Sequence, residues 1–406
     1  MSHVELCRAC GTGPLELLLD LGTMPLANAL VSSPGADEDR YPLRLVFCTR
    51  CSLVQIDEAV APEKLFAEYL YFSSFSASFV EHARLLAEKL IGARGLGRDS
   101  LVVELASNDG YLLQHYRDRG VPVLGIEPAQ NVAAVALERG IPTRAAFFGR
   151  ELGAQLVAEG LQADVLHAHN VLAHVADLNG FVAGIAQVLK PAGVALIEVP
   201  YVRAMVERTE FDTIYHEHLC YFALVALAPL FARHGLEVVD VERVAVHGGS
   251  LRLCVALAGT PATAAVAALM AEERAAGMEH IAFYRGFAEK VAALGARLRA
   301  TLGELKAAGA RLAGYGAAAK AAVLLNYVRL PEGTLAFVAD KSPHKQGRFL
   351  PGVGLEVRPV DVLLEEQPDY VLLMAWNLKD EILEQQAEYR RRGGRFILPL
   401  PEVEIL

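Results

Sequence analysis

Two Cys-x2-Cys steps, Cys7 with Cys10 and Cys48 with Cys51, constrain this chain more than any other feature. They hold four of its six cysteines. Two such steps can present four thiolates in a tetrahedron, and four protein ligands leave no open coordination position. The spacing therefore predicts a structural zinc site, not a catalytic one. A pair of disulfides is the competing reading. It fits poorly with the start Met1-Ser2-His3-Val4-Glu5-Leu6-Cys7, which lacks the basic and apolar regions of a secretion signal. The residues between the steps include Leu19-Asp20-Leu21-Gly22 and Pro25-Leu26-Ala27-Asn28, so an apolar insert that docks on a neighbour is expected. Cys220 and Cys254 sit in apolar runs and read as core thiols.

At 406 residues the chain exceeds one ordinary core, so two or three domains are expected. Hydrophobic residues make up 53% and charged residues 21%, enough for packed cores and against extensive disorder. A net charge of −10 disfavours a nonspecific nucleic-acid binder, while leaving room for a local basic phosphate pocket. No apolar run reaches the length of a membrane span. The expectation is a cytoplasmic protein, a monomer or loose oligomer, with neither nucleic acid nor membrane as partner.

An aromatic run, Tyr69-Leu70-Tyr71-Phe72-Ser73-Ser74-Phe75, opens a helical stretch to about Ile91 and either packs a core or lays its tyrosines over a ligand. From Leu101 a βα alternation begins. A short apolar strand carrying Glu104 ends in Ala106-Ser107-Asn108-Asp109-Gly110, and a second strand ends at Glu127. A small-residue turn admits close approach of backbone amides, and an acid about 20 residues on is placed to hold a ribose. The full Gly-x-Gly-x-x-Gly is missing. That weakens a dinucleotide and suits S-adenosylmethionine, which has a ribose but no pyrophosphate. A third strand runs into His169-Asn170, with His174 close behind, so Asn170 and His174 fall where ligands of open α/β sheets bind.

Tyr215-His216-Glu217-His218 then concentrates proton-handling groups, and imidazole titrates near neutrality. In a strand Tyr215 would face away from His218; in a helical turn the two would share a face. A metal held by His216 and His218 is disfavoured, since no further ligand lies at a recognisable spacing. His247-Gly248-Gly249-Ser250 is a turn before a strand, and a helix or broken pair spans 266–306. A second strand–turn–helix follows at Gly314-Tyr315-Gly316-Ala317-Ala318-Ala319-Lys320, and the next strand leads to a loop carrying Lys341 and Lys345. Amides at that turn and those lysines suit an anionic ligand.

These motifs, in this order and over nearly the whole chain, resemble the three-domain sugar C-methyltransferases that act on nucleotide-linked 4-keto-deoxysugars. The match rests on the cysteine steps, Pro25-Leu-Ala-Asn28, Glu104-Leu-Ala-Ser-Asn-Asp-Gly110, Gly125-Ile-Glu127, Asn170-Val-Leu-Ala-His174, Phe211-Asp-Thr-Ile-Tyr-His-Glu-His218, His247-Gly-Gly-Ser-Leu-Arg252 and Gly314-Tyr-Gly-Ala-Ala-Ala-Lys320. The resemblance implies an α/β protein with a zinc module (1–65), a Rossmann-like class I methyltransferase domain (66–262), a helical connector (263–308) and a second Rossmann-like domain (309–406). It implies S-adenosylmethionine held by Glu104, Ala106, Asn108, Asp109, Gly110, Glu127 and Asn170. A sugar nucleotide, expected to be dTDP-linked, would be held by Asn170, Tyr215, His218, His247, Gly316, Lys320, Lys341 and Lys345.

Family members remove the proton beside the sugar ketone and methylate the enolate, typically at C3. By matching motif His218 is the implied base, Tyr215 and Glu217 position the sugar or the base, and Tyr69 and His174 line the same site. His216 is a structural neighbour, and zinc is expected far from the chemistry. Some members methylate C5, which the sequence does not distinguish. An NAD-dependent oxidoreductase and a zinc-bearing scaffold are the readings of other classes.

Overall fold

The computed structural model describes residues 2–61, 64–65, 72–245 and 248–406. Strands apolar on both faces fold as parallel strands covered by helices. Among the described residues the central sheet has seven strands, in the order Leu236–Val244, Ser250–Leu257, Leu189–Pro200, Ala163–His169, Val102–Leu105, Val123–Ile126 and Thr143–Arg144. The last five run parallel, and Ser250–Leu257 is antiparallel to both its neighbours. The chain first builds outward from Val102–Leu105, then returns to place Ala163–His169 on its other side. That reversal opens a crevice at the carboxyl ends of these two strands.

A smaller sheet repeats the plan in the order Val357–Arg358, Val338–Ala339, Leu312–Tyr315, Tyr370–Leu373, Arg395–Leu398 and Glu404–Ile405, with only the last strand antiparallel. The proline-free stretch between the sheets breaks into the helices Ala264–Ala275, Ile281–Tyr284 and Phe287–Ala307. The longest buries Phe287, Val291, Leu294, Leu298 and Leu302 along one helical face. It packs against both the N-terminal strand Leu15–Pro25 and the C-terminal helix Ala319–Val328.

The N-terminal residues form an antiparallel sheet of Leu15–Pro25, Arg40–Cys48 and Val54–Ile56, and its fourth strand comes from elsewhere in the chain. Cys220–Tyr221, just beyond His218, pairs with Val54–Ile56. One apolar core runs through all three parts, from Leu43 and Phe47 through Phe211 and Phe231 to Leu324 and Leu350. No helix among the described residues is long and apolar enough to cross a membrane.

Candidate active site

The two cysteine steps fold alike. In each, the amide four residues after the first cysteine returns to that cysteine's carbonyl: Gly11 N to Cys7 O at 2.8 Å and Ser52 N to Cys48 O at 2.9 Å. Gly11 and Ser52 both have positive φ, 68° and 63°. The four Sγ atoms lie within 4.8 Å of one another, with Cys7–Cys51 at 3.5 Å and Cys10–Cys48 at 3.6 Å. A tetrahedral ion with bonds of about 2.3 Å needs sulfurs about 3.8 Å apart, so the thiolate set fits zinc.

A cavity of about 830 Å³ joins the central sheet to the C-terminal part. This lies toward the upper end of the 300–1,000 Å³ (roughly) usual for small-molecule sites. At one end stand Ala106, Asn108, Glu127, Phe147, His169 and Asn170. Ala106, Asn108 and Asn170 have positive φ of 53°, 50° and 54°, which turns the chain sharply at the strand ends. Glu127 accepts the amides of Asn108 (2.9 Å) and Ala129 (2.8 Å), and burial pushes its carboxyl up to about 7. Asn170 Oδ1 is buried with no hydrogen-bond partner. A ribose-and-amino-acid ligand needs such a carboxylate, a small-residue turn and an open amide oxygen, so these residues fit S-adenosylmethionine.

Not every residue expected on this side reaches the cavity. Glu104 is buried behind the wall, where burial, with Glu127 and Asp109 nearby, holds its carboxyl well above the usual range. Asp109 instead binds Arg139 (2.9 Å) and Ser74 (2.5 Å), while Asn108 Oδ1 accepts the Ser73 amide (2.9 Å). Together they pin the segment before the helix Ala77–Arg94 over the turn. Gly110 (φ 79°) is required by packing, because a Cβ there would lie 2.7 Å from Ile141 Cγ1.

The centre of the cavity holds Asn28, His174, Tyr215, Glu217, His218 and Tyr221. Residues 215–218 form a turn closed by His218 N to Tyr215 O at 2.8 Å, which brings both rings to one side, 4.0 Å apart and stacked. His218 Nδ1 lies 2.9 Å from the Thr213 carbonyl. A carbonyl only accepts, so Nδ1 carries the proton, and in the neutral ring Nε2 accepts from the Tyr215 hydroxyl at 2.8 Å. His174 packs edge-on to His218 at 4.7 Å, and burial pushes it down to about 4, leaving it neutral at pH 7. His216 turns away and donates from Nε2 to the Pro42 carbonyl at 3.1 Å. Glu217 is buried, and Asn28 Nδ2 donates to its Oε1 at 3.1 Å.

At the far end are Glu210, Lys320, Lys345 and Asn377. Lys320 Nζ donates to Asn377 Oδ1 (3.2 Å) and sits 4.1 Å over the Trp376 ring; Trp376 Nε1 donates to Asp212 Oδ2 (2.7 Å). Burial pushes the carboxyls of Asp212 and Glu210 up to about 6 and 7, with Lys320 drawing both back. The glycine turn departs from an open phosphate cradle. Gly316 N bonds Ala339 O and Ala317 N bonds Asp340 Oδ2, both internally. Gly316 does not line the cavity, and Lys341 is exposed away from it. Tyr69 and His247 lie outside the described residues.

Family models match the chain in three consecutive stretches: a zinc binding domain over residues 7–66, a methyltransferase domain over 79–241 and a C-methyltransferase C-terminal domain over 245–401. The C-methyltransferase NovU of Streptomyces niveus is 36% identical over 407 residues, covering 99% of this chain and 97% of that protein. This chain belongs to the C-methyltransferase family. Two solved structures are similar over part of its length. Magnesium protoporphyrin IX methyltransferase from Synechocystis PCC 6803 covers 49% of this chain and 98% of its own at 12% identity, with a TM-score of 0.36. The glycopeptide N-methyltransferase MtfA covers 43% and 94% at 13% identity, with a TM-score of 0.33.

The C-methyltransferase is thus an S-adenosylmethionine-dependent enzyme with a four-cysteine zinc site. Sequence reasoning passed over two groups that line the cavity, Asn28 and Thr213, and two that meet beside it, Asp212 and Trp376. Asn28 was visible as part of a docking insert and of a motif carrying the resemblance, with no role assigned to it. The Thr213 carbonyl carries no side-chain signal. Asp212 and Trp376 meet across 164 residues of sequence, although Trp376 is the chain's single tryptophan at the end of a strand.

Proposed function

We propose that this C-methyltransferase places a methyl group on the carbon beside the ketone of a nucleotide-linked 4-keto-deoxysugar, at C3. One observation carries the reading: a single cavity runs from the Glu127 turn to Lys320 and Lys345, with the Tyr215–His218 pair between them. A proton α to a ketone leaves only with a positioned base and with donors to the developing enolate oxygen. In this reading His218 Nε2 takes the proton, because its Nδ1–H is held by Thr213. Tyr215 first shares its hydroxyl with Nε2 and is then released to the sugar, while neutral His174 and buried Glu217 orient the ring. Lys320 and Lys345 meet the anionic nucleotide. The bound sulfonium donor supplies an electrophilic methyl group to the carbon. His218 afterwards returns its proton to water.

Catalytic roles follow the residues that line the cavity. Ala106, Asn108, Glu127 and Asn170 form the donor end. Glu104, Asp109 and Gly110 act on that end from behind it. C5 also flanks a C4 ketone, so the same machinery serves either carbon and the product decides the position.

The test is incubation of the enzyme with S-adenosylmethionine and a dTDP-4-keto-deoxysugar in heavy water. Methylation at C3, with solvent deuterium entering the same carbon when the donor is replaced by its demethylated product, is the expected outcome. Absence of both methyl transfer and deuterium uptake sinks the reading. Methylation at C5 alone corrects the position.

A further inference from the structure

The zinc module was expected to stand apart from the chemistry, but its sheet is continuous with the turn that carries His218. Cys220 pairs with Gln55, the Ile56 amide donates to the Leu219 carbonyl at 3.0 Å, and His216 donates to Pro42. These links flank Glu217 on both sides. Three residues past the end of the strand Leu15–Pro25, Asn28 enters the cavity wall and meets Glu217.

We propose that Asn28 is a positioning residue of the methyl-transfer site: it fixes Glu217 Oε1 so that Glu217 Oε2 is presented to the bound sugar. The proposal rests on the sugar reading of this cavity. An amide nitrogen can only donate, so Oε1 must be the accepting oxygen and the carboxyl cannot rotate freely. Glu217 is only 2% exposed; the backbone amides of Glu217 and Asn28 also draw on its carboxyl, yet Oε2 makes no full hydrogen bond. A buried, unpartnered carboxyl oxygen in a cavity wall calls for a ligand group to complete it. Burial also raises the Glu217 carboxyl above its ordinary range, so in either protonation state Oε2 suits a polar sugar substituent, as acceptor from a hydroxyl or as donor to an oxygen. A methylene in that place would leave the oxygen unsatisfied. The sugar therefore carries a hydroxyl, amine or carbonyl oxygen where it meets Glu217. The zinc module matters to catalysis because it carries Asn28 at the right distance.

The experiment compares Asn28→Ala, Asn28→Asp, Glu217→Gln and the Asn28→Ala/Glu217→Gln pair, with wild type and His218→Gln run alongside. Zinc content and thermal unfolding are measured for each. Displacing a positioned group costs about 10- to 100-fold in rate. Asn28→Ala is expected to lose that much in kcat and in α-carbon deuterium exchange, with donor KM and zinc content unchanged. The double variant is expected to be no slower than Glu217→Gln alone, since the two residues act as one unit. Asn28→Asp keeps the size, removes the donor and sets a second carboxyl against Glu217. It is expected to move the acid limb of the pH–rate profile upward.

Wild-type kcat in Asn28→Ala, additive losses in the double variant, or an unshifted pH profile in Asn28→Asp would each overturn the proposal. Should wild type itself fail to turn over keto-sugar nucleotides, the sugar reading falls. Should wild type react, His218→Gln stay silent and the Asn28 variants behave as wild type, only the role of Asn28 falls.

Discussion

The two strand–turn–helix units of this enzyme share a local plan and differ in what they leave open. In each, an acid at the end of the neighbouring parallel strand neutralises the turn. Glu127 takes the amides of Asn108 and Ala129; Asp340 takes those of Ala317 (2.7 Å) and Ser342 (2.8 Å). In each, a glycine is required by packing, since a Cβ on Gly316 (φ 94°) would lie 2.7 Å from Ala375, as one on Gly110 would from Ile141. The difference lies in the far side of the turn. Glu127 itself lines the cavity, whereas Asp340 is turned inward and Lys345 Nζ closes on the Ala317 carbonyl at 2.9 Å. One unit thus offers a carboxylate to the cavity and the other offers ammonium groups. A strand–turn–helix pattern alone does not distinguish these outcomes; the loop beyond the second strand, which carries Lys345, does.

Substitutions can break that contrast, beginning with the group that belongs to neither turn. His218→Gln is expected to lower kcat by roughly 10²- to 10⁴-fold, the range for removal of a general base, while donor affinity stays within about twofold. Loss of donor binding in a folded variant would show that the reactive turn and the donor turn are not separate. Glu127→Ala is expected to weaken donor binding by about 100-fold, measured by calorimetry, whereas Asp340→Asn leaves it unchanged; two hydrogen bonds to a charged group are at stake in the first and none in the second. Equal effects would erase the distinction between the turns.

Protonation gives a graded version of the same test. Burial places Glu127 at about 7, so below that pH the carboxyl is neutral and accepts ribose hydroxyls less well. Donor affinity is expected to rise with pH by up to about tenfold per unit below 7 and to level off above it. In Glu127→Gln the dependence is expected to vanish, and its persistence would assign the titration elsewhere. Lys320→Met is expected to raise KM for the sugar nucleotide by about tenfold with donor KM unchanged, because Lys320 already shares its charge with Asp212 and Glu210. A larger effect on the donor would reverse the roles of the two ends.

Much of this was legible in the chain. The cysteine spacing predicts the zinc set because two ligands with two residues between them can close on one ion. The strands around 102–105 and 312–315 announce themselves as short apolar runs ending in small residues. Tyr215 and His218 are marked by composition. Their shared face was favoured by the roles the resemblance implies and not by the pattern itself, because a four-residue turn and a strand read alike without neighbours; the structure puts the two rings together. Glu104 and Asp109 look like ligands in the motif, yet one sinks behind the wall and the other is taken by Arg139 and Ser74.

By itself the sequence determined which local units exist: two glycine turns, two cysteine steps and one reactive tetrapeptide, each marked by residues close together in the chain. Only the tertiary structure decided what they face. The tautomer of His218 depends on the Thr213 carbonyl, whose segment is held from the C-terminal side by Trp376 on Asp212. Glu217 is held from the N-terminal side by Asn28, 189 residues away in the chain. Hydrogen bonds of that kind leave no periodicity or spacing to read, because they join groups whose proximity is created by the packing of all three parts around one apolar core.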